Sequence, residues 1–245
     1  MTSAPGLLEK SQILIDLQEG DLDIKGQFTF GSNFTFLGEI TQPDRQFSVV
    51  YKPGRGERPL WDFPAKSLAK RETAAFLVSE SLGWDLVPPT VFRKKGPLGS
   101  GSVQLYIQHN PDIHYFTFEN ADKQRLRPVA LFDILINNAD RKGGHILCDP
   151  LDHLWLIDHG ICFHVDDKLR TVLWDFAGEE IPRTLLVDIE NFSEDLKSGK
   201  ATLQAIKPLL RKYEINALIT RAENILQKPI FPNPGKGMYY PWPPL

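Results

Sequence analysis

The order of secondary-structure signals along the chain limits its fold more than any other feature. Residues 12–52 predict three antiparallel strands, because Phe, Thr and Val are frequent there and turn residues divide them into LDIKGQFTF, NFTFLGEI and QFSVVYKP. Residues 66–82 then predict an amphipathic helix that ends at Gly83. Two more strands, within VPPTVFRKK and SVQLYIQHN, follow on either side of a GPLGSG turn. The first half of the chain therefore predicts an antiparallel sheet with one helix.

The second half of the chain is mostly helical. Pro128 opens VALFDILINN, which is typical of a buried helix, and helical periodicity returns over 183–197 and 201–227. Two short strands lie between these helices, within HILCD and HLWLIDHG. This order predicts an α+β fold with an N-terminal lobe over residues 1–108 and a helical lobe over residues 109–245. A ligand would bind in a cleft between two such lobes.

Charge and composition exclude several classes of protein. The formal net charge is −3, from 28 basic and 31 acidic residues, so neither nucleic acid nor an anionic membrane is an expected partner. No apolar run reaches the roughly 20 residues that span a bilayer, and the N-terminus lacks the pattern of a secretion signal. Cys148 and Cys162 lie in apolar surroundings and are interpreted as free thiols. We therefore expect a cytoplasmic protein without an integral membrane segment.

The helix at 66–82 carries a carboxylate on its apolar stripe. Glu72 lies in the middle of the stripe, whose other members are Leu68, Ala75, Ser79 and Leu82. A carboxylate on an inward face is costly unless it is paired. Lys52, at the end of the strand FSVVYK, is the nearest plausible partner. The alternative is that Glu72 lies at the edge of the stripe and reaches water.

The segment ADRKGGH predicts an exposed carboxylate on a loop held at both ends. Asp140 and Arg141 follow a helix, and Gly143 and Gly144 permit backbone angles that other residues avoid. Phosphoryl transfer requires such a carboxylate to orient the attacking hydroxyl and accept its proton. The alternative is an Asp-Arg turn in which the carboxylate bonds its own backbone.

The segment LWLIDHG places a second carboxylate at the end of an apolar strand. Asp158 stands two residues before Gly160, in the position of a ligand for the magnesium ion that bridges nucleotide phosphates. The alternative is a structural Asp that caps the following turn. Two neighbouring polar residues are interpreted as structural: Asp133 as a brace for the Asp140 loop, and His159 as a packing residue.

NNADRKGGHIL followed by LWLIDHG resembles the catalytic and metal-binding motifs of the phosphatidylinositol 3-/4-kinase-like group, in particular its small bacterial members. VYKP and RETAAFLVSESLGWDLVPPT extend the resemblance over most of the chain. It implies a two-lobed protein-kinase-like fold that binds ATP. It also implies that Lys52 holds phosphates, Glu72 positions Lys52, Asp140 is catalytic and Asp158 binds metal.

The sequence departs from the family pattern at His145, where related kinases carry an asparagine that holds a second metal ion. Imidazole favours manganese over magnesium, so one hypothesis is that this chain prefers Mn²⁺. The alternative is that His145 only hydrogen-bonds a metal ligand. The phosphate-covering turn is also weak: its candidates are Gly31, Ser32 and Asn33 in FGSNFTF. Adenine is expected beside the linker after the fifth strand, at Tyr106, Ile107 and Gln108.

The leading hypothesis is an ATP-dependent phosphotransferase, or kinase, that uses Mg²⁺ or Mn²⁺. Its γ-phosphate acceptor would be a hydroxyl of a protein, a lipid or a small molecule. Two alternatives stay open: a nucleotide-binding pseudokinase that acts as a scaffold, and nucleotidyl transfer from ATP.

Overall fold

A computed structural model describes residues 9–28, 34–235 and 237–245. The chain divides into two compact units. Unit 1 comprises Met1–Thr73 and Pro88–Tyr106, and unit 2 comprises Ala74–Val87 and Ile107–Leu245. The long helix α2 (Leu68–Leu82) contributes its first turns to unit 1 and its remainder to unit 2.

Unit 1 contains a five-stranded antiparallel sheet and a helix that precedes it. The helix is α1 (Lys10–Glu19). The strands are β1 (Asp21–Gln27), β2 (Phe36–Gln42), β3 (Arg45–Pro53), β4 (Thr90–Arg93) and β5 (Gly101–Leu105). Their order in the sheet is β1-β2-β3-β5-β4. All five strands lie where the sequence predicts strands, and the sheet is antiparallel as expected.

Alternation along β3 decides which face of the sheet carries the candidate lysine. Val49 and Tyr51 belong to the buried cluster that also includes Leu17 of α1. Neighbouring strand residues point to opposite faces, so Lys52 lies on the face away from this cluster. Gly101 of β5 allows the close pairing at this point, because a Cβ atom there would clash with the carbonyl oxygen of Lys52.

The prediction of strand from residue 12 onward is wrong for α1. Its stability comes from a distant contact that the local sequence does not show. Asp16 is fully buried and its carboxylate is 2.5 Å from Nε of Arg45, at the start of β3. Gln12 donates a further hydrogen bond to the same carboxylate at 3.0 Å. No side chain caps the N-terminus of α1, so the usual signal of a helix start is missing.

Unit 2 is mostly helical, as the sequence predicts, with one short hairpin. Its helices after α2 are α3 (Asn120–Gln124), α4 (Arg127–Ile136), α5 (Arg183–Lys197), α6 (Ala201–Ile206) and α7 (Lys212–Gln227). The strands β6 (Ile146–Cys148) and β7 (Leu154–Leu156) pair antiparallel. This hairpin separates the loop that contains Asp140 from the loop that contains Asp158.

The range 201–227, for which the sequence predicts helical periodicity, contains two helices, because α6 ends at Ile206 and α7 begins at Lys212. Pro208 lies in the break and has no amide hydrogen to donate to a helical hydrogen bond. No helix within the described ranges combines the length and apolarity that crossing a bilayer requires.

Candidate functional site

Lys52 and Glu72 form an ion pair within unit 1. Nζ of Lys52 is 2.5 Å from Oε1 of Glu72, and the two side chains are 22% and 4% exposed. The sequence left open whether Glu72 is paired or reaches water, and the structure pairs it. Because a buried carboxylate is stable only with a well-placed partner, this contact fixes the position of the Lys52 ammonium.

A second ion pair, fully buried, lies beneath the two candidate loops of unit 2. Asp133 of α4 and Arg141 are both 0% exposed, with Nε 3.0 Å from Oδ1. Asn138 and Thr171 also donate to the Asp133 carboxylate, at 2.9 Å and 3.2 Å. The carboxylate thereby gains the several hydrogen bonds that a buried charge requires. Asp133 braces the Asp140 loop, as the sequence suggested.

The guanidinium of Arg141 also reaches the loop that carries Asp158. Nη1 donates to the carbonyl oxygen of Ile157 at 2.9 Å, and Nη2 lies 2.7 Å from Nε2 of His159. These two residues flank Asp158, whose φ of +63° is unusual for a residue other than glycine. A single buried cation therefore organises both loops, and His159 is part of that arrangement rather than a simple packing residue.

His145 joins the two carboxylate-bearing loops directly. Its Nδ1 lies 3.1 Å from the carbonyl oxygen of Asp140, and its Nε2 lies 3.5 Å from Oδ2 of Asp158. The imidazole is 15% exposed and the Asp158 side chain is 48% exposed. Asp158 thus presents a partly solvated carboxylate next to an imidazole nitrogen, which is a suitable pair of donors for a divalent ion.

Asp140 has the electrostatic setting of a proton acceptor. Burial raises the pKa of its carboxyl to about 6; Lys142 opposes this rise and the charge of Asp158 adds to it. Nζ of Lys142 is 3.9 Å from Oδ2 of Asp140. A carboxylate with a pKa near the working pH is well suited to general-base catalysis.

Among the described residues, no group of three or more His, Cys, Asp or Glu side chains is arranged to hold a metal ion. The protein offers the two donors of His145 and Asp158, so phosphate oxygens and water would complete a coordination shell. That division of ligands is usual for Mg²⁺ on nucleotides.

The remaining predicted residues lie elsewhere or outside the described ranges. Gly31, Ser32 and Asn33 are outside the described residues. Tyr106, Ile107 and Gln108 follow β5; the amide of Tyr106 donates to Ser48 at 3.1 Å, and Gln108 is exposed. Their proposed contact with adenine stays a prediction.

The C-terminal tail contacts the Asp140 loop; its sequence, rich in proline and aromatic residues, left open whether it packs as an extended strap. The amide of Gly143 donates to the carbonyl oxygen of Pro244 at 2.8 Å, and the amide of Thr171 donates to Tyr239 at 3.2 Å. Gly143 is required at its position because a Cβ atom would lie 2.7 Å from the ring of Phe116. The tail sequence has no periodicity, so only its aromatic and proline content could have suggested that it packs against the protein.

The sheet with its lysine–glutamate pair and the helical unit with two carboxylate loops define a protein-kinase-like fold. Solved structures support this class. The Golgi casein kinase with Mn/ADP bound matches with a TM-score of 0.57 and 18% identity over 89% of this chain and 74% of that chain. Hydra Fam20 with sugar matches with a TM-score of 0.57 and 15% identity, over 92% of this chain and 90% of that one. The Helicobacter pylori proinflammatory kinase CtkA matches with a TM-score of 0.53 and 13% identity, over 88% and 94%.

Sequence comparison places the chain in a family. Protein Rv2133c of Mycobacterium tuberculosis is 40% identical over 93% of this chain and 93% of that protein. The chain therefore belongs to the same family as Rv2133c. Phosphatidylinositol 4-kinase gamma 4 of Oryza sativa subsp. japonica is 33% identical over 38% of this chain and 20% of that protein. No family model matches the chain.

The raised pKa of Asp140 predicts a specific dependence of stability on pH. Between about pH 4 and pH 6 the folded protein retains a proton that the unfolded chain releases, so Asp140 lowers the stability as the pH rises through this interval. The free energy of unfolding of Asp140→Asn, relative to that of the wild type, should therefore rise by roughly 2 kcal/mol as the pH increases from about 4 to about 7. Urea unfolding of both proteins at each pH measures this difference.

Asp152→Asn is the matched control for that experiment. Hydrogen bonding from Arg125 lowers the pKa of the Asp152 carboxyl below its usual value, so its stabilising contribution changes mainly below about pH 4 and the difference between Asp152→Asn and the wild type should stay nearly constant from about pH 4 to pH 7. A difference between Asp140→Asn and the wild type that is independent of pH would contradict the buried setting of Asp140.

The contact between the tail and Gly143 predicts selective hydrogen exchange. Deleting residues 238–245 removes the acceptor of the Gly143 amide, which should then exchange about tenfold faster or more. The amide of Arg141 is the internal control, because its acceptor is Arg170 at 2.9 Å and the deletion leaves it in place. Exchange measured by NMR resolves both amides. Equal acceleration of the two would indicate general loosening of the loop instead of loss of one hydrogen bond.

Proposed function

We propose that this protein is an ATP-dependent phosphotransferase, a kinase that moves the γ-phosphate of ATP to a hydroxyl group of a protein, a lipid or a small molecule. The observation that carries the proposal is the joining of the Asp140 loop to Asp158 through Arg141 and His145. Phosphoryl transfer needs one carboxylate to position the nucleophile and another to hold the metal ion, both preorganised. The protein-kinase-like fold supports the same assignment.

Each site residue takes a separate role in this reaction. Asp140 orients the acceptor hydroxyl and takes its proton as the oxygen attacks phosphorus. Lys52, positioned by Glu72, neutralises charge on the nucleotide phosphates. The sequence assigns the phosphate-covering turn to Gly31 and Ser32 and the adenine contact to Tyr106, Ile107 and Gln108, and both assignments stay predictions.

Asp158 and His145 are the residues that would hold a divalent ion. The ion, when bound, neutralises charge on the phosphates and supplies Lewis-acid chemistry. The partly solvated carboxylate of Asp158 and the adjacent Nε2 of His145 fit this use. The similarity to a Golgi casein kinase crystallised with Mn/ADP supports both nucleotide and metal binding.

The finer family and the setting of the reaction are also proposals. The partial similarity to a rice phosphatidylinositol 4-kinase supports membership of the phosphatidylinositol 3-/4-kinase-like group, with residues 1–108 as the phosphate-anchoring lobe and 109–245 as the catalytic lobe. Free Cys148 and Cys162 support a reducing, cytoplasmic location. A net charge of −3 argues against nucleic acid as a partner.

Substitution of Asp140 tests the proposal. Asp140→Ala should lower the transfer of γ-labelled phosphate by about 10²–10⁴-fold, because the general base is lost. Nucleotide binding, measured by thermal shift with ATP and Mn²⁺, should remain. Asp166→Ala removes an exposed carboxylate, 79% accessible, and is the matched control that should retain activity.

The position of the label in ATP, on the α- or the γ-phosphate, distinguishes nucleotidyl transfer from phosphoryl transfer. Transfer of label from α-labelled ATP to a product would establish nucleotidyl transfer. A wild-type protein that binds ATP without any turnover would be a scaffold. Unchanged transfer by Asp140→Ala would remove Asp140 from the catalytic role.

The imidazole of His145 predicts a metal preference. Wild-type transfer should be several-fold faster with Mn²⁺ than with Mg²⁺, because imidazole nitrogen favours the softer ion. His145→Asn restores the oxygen donor and should reduce this ratio toward one. His164→Asn, which keeps an acceptor for the Asp166 amide, is the control that should leave the ratio unchanged. Equal wild-type rates with the two ions would refute a ligand role for His145.

A further inference from the structure

A cavity of about 480 Å³ lies within unit 1. Its lining comes from residues 54–68, which connect β3 to the first turn of α2, and from residues 97–100, which precede β5. Lys52 and Tyr106 are not among the lining residues. Its volume falls within the usual range of small-molecule sites, roughly 300–1,000 Å³.

The charged residues that line this cavity are mostly cationic. Arg55, Arg58 and Lys66 contribute three positive charges, and Glu57 contributes one negative charge. Oε1 of Glu57 accepts the backbone amide of Ala69 at 3.0 Å, so its carboxylate is engaged at the N-terminus of α2. The lining therefore carries a formal excess of two positive charges.

The rest of the lining includes a preformed apolar wall, to which Leu60 and Phe63 belong. Phe63 is 8% exposed, and the guanidinium carbon of Arg71 lies 4.8 Å from the centre of its ring. Arg71 is itself only 1% exposed, so the Phe63 ring packs against a buried side chain. A ligand would meet an ordered aromatic surface beside the cations.

From this combination we propose that the cavity binds a phosphate monoester that carries an apolar, preferably aromatic, group. A monoester dianion suits a lining in which cations outnumber carboxylates, and a guanidinium such as that of Arg55 can donate two parallel hydrogen bonds to phosphate oxygens. The apolar group would lie against Leu60 and Phe63, where its burial adds to the affinity. Lys52, Asp140 and Asp158 do not line this cavity, so the proposal does not depend on their activity.

The test is calorimetric titration of the full chain with phenyl phosphate, inorganic phosphate and phenol. Phenyl phosphate should bind at least about tenfold more tightly than either of the other two, because it alone satisfies both the cations and the apolar wall. Equal binding of phenyl phosphate and inorganic phosphate would overturn the proposal, as would no binding of phenyl phosphate.

Two variants locate the binding. Lys66 has φ of +58°, so Lys66→Gly removes the ammonium group at a position where glycine is conformationally favourable. Arg55 is exposed, so Arg55→Gln removes a guanidinium with little effect on folding. Each should weaken phenyl phosphate binding about tenfold. Arg183→Gln, which removes a cation that is 76% exposed in unit 2, should leave it unchanged within about twofold.

Titration of Asp158→Asn in the presence of Mn²⁺ separates this site from the proposed kinase centre, where Asp158 would hold a phosphate only through a divalent ion. Asp158 is not a lining residue, so the variant should bind phenyl phosphate as the wild type does. Loss of phenyl phosphate binding in Asp158→Asn with Mn²⁺ present, together with full binding in Lys66→Gly and Arg55→Gln, would place the ligand at the kinase centre and overturn the proposal.

Discussion

The buried ion pair between Asp133 and Arg141 is the interaction on which the candidate site of unit 2 depends. Breaking a buried pair leaves an uncompensated charge and typically costs about 3–5 kcal/mol. Arg141 is covalently next to Asp140 and hydrogen-bonds the carbonyl group immediately before Asp158. A displacement of either loop would therefore disturb the same Arg141 guanidinium. The positions of Asp140 and Asp158 thus depend on an ion pair whose charges are buried.

In unit 1 the ion pair between Lys52 and Glu72 is partly exposed. The alternation of β3 places Tyr51 in the apolar cluster and Lys52 on the opposite face, so the sheet itself selects which face receives the cation. Glu72 is almost fully buried whereas Lys52 retains some exposure. The lysine side chain thus has a fixed position and some exposure, which is compatible with the proposed phosphate-binding role.

The sequence predicted the protein-kinase-like fold and the elements that carry the candidate site, while the roles of the site residues stay predictions. Strands and the Asp140 and Asp158 loops were recognisable because alternation, glycine positions and carboxylates at strand ends are local signals. The Lys52–Glu72 contact stayed open because a sequence gives no distance between residues 20 positions apart. Helix α1 was missed because Asp16 is stabilised by Arg45 from another element.

Two further features differ in the local signal that the sequence gives for them. The cavity lined by residues 54–68 arises from a segment rich in glycine, proline and arginine, which reads only as a loop. The break at Pro208 shows the opposite case, in which a strong local signal was present and apolar periodicity on both sides concealed it.

The hydrogen bond from Gly143 to Pro244 has a practical consequence for how the protein is handled. An affinity tag fused after Leu245 would begin two residues after Pro244, whose carbonyl group holds the Asp140 loop. Its first residues would lie close to Gly144, because a Cβ atom at Gly144 would be only 3.7 Å from Cδ1 of Leu245. Kinetic constants obtained from such a fusion would describe an altered loop, and a cleavable tag would leave a scar at the same place.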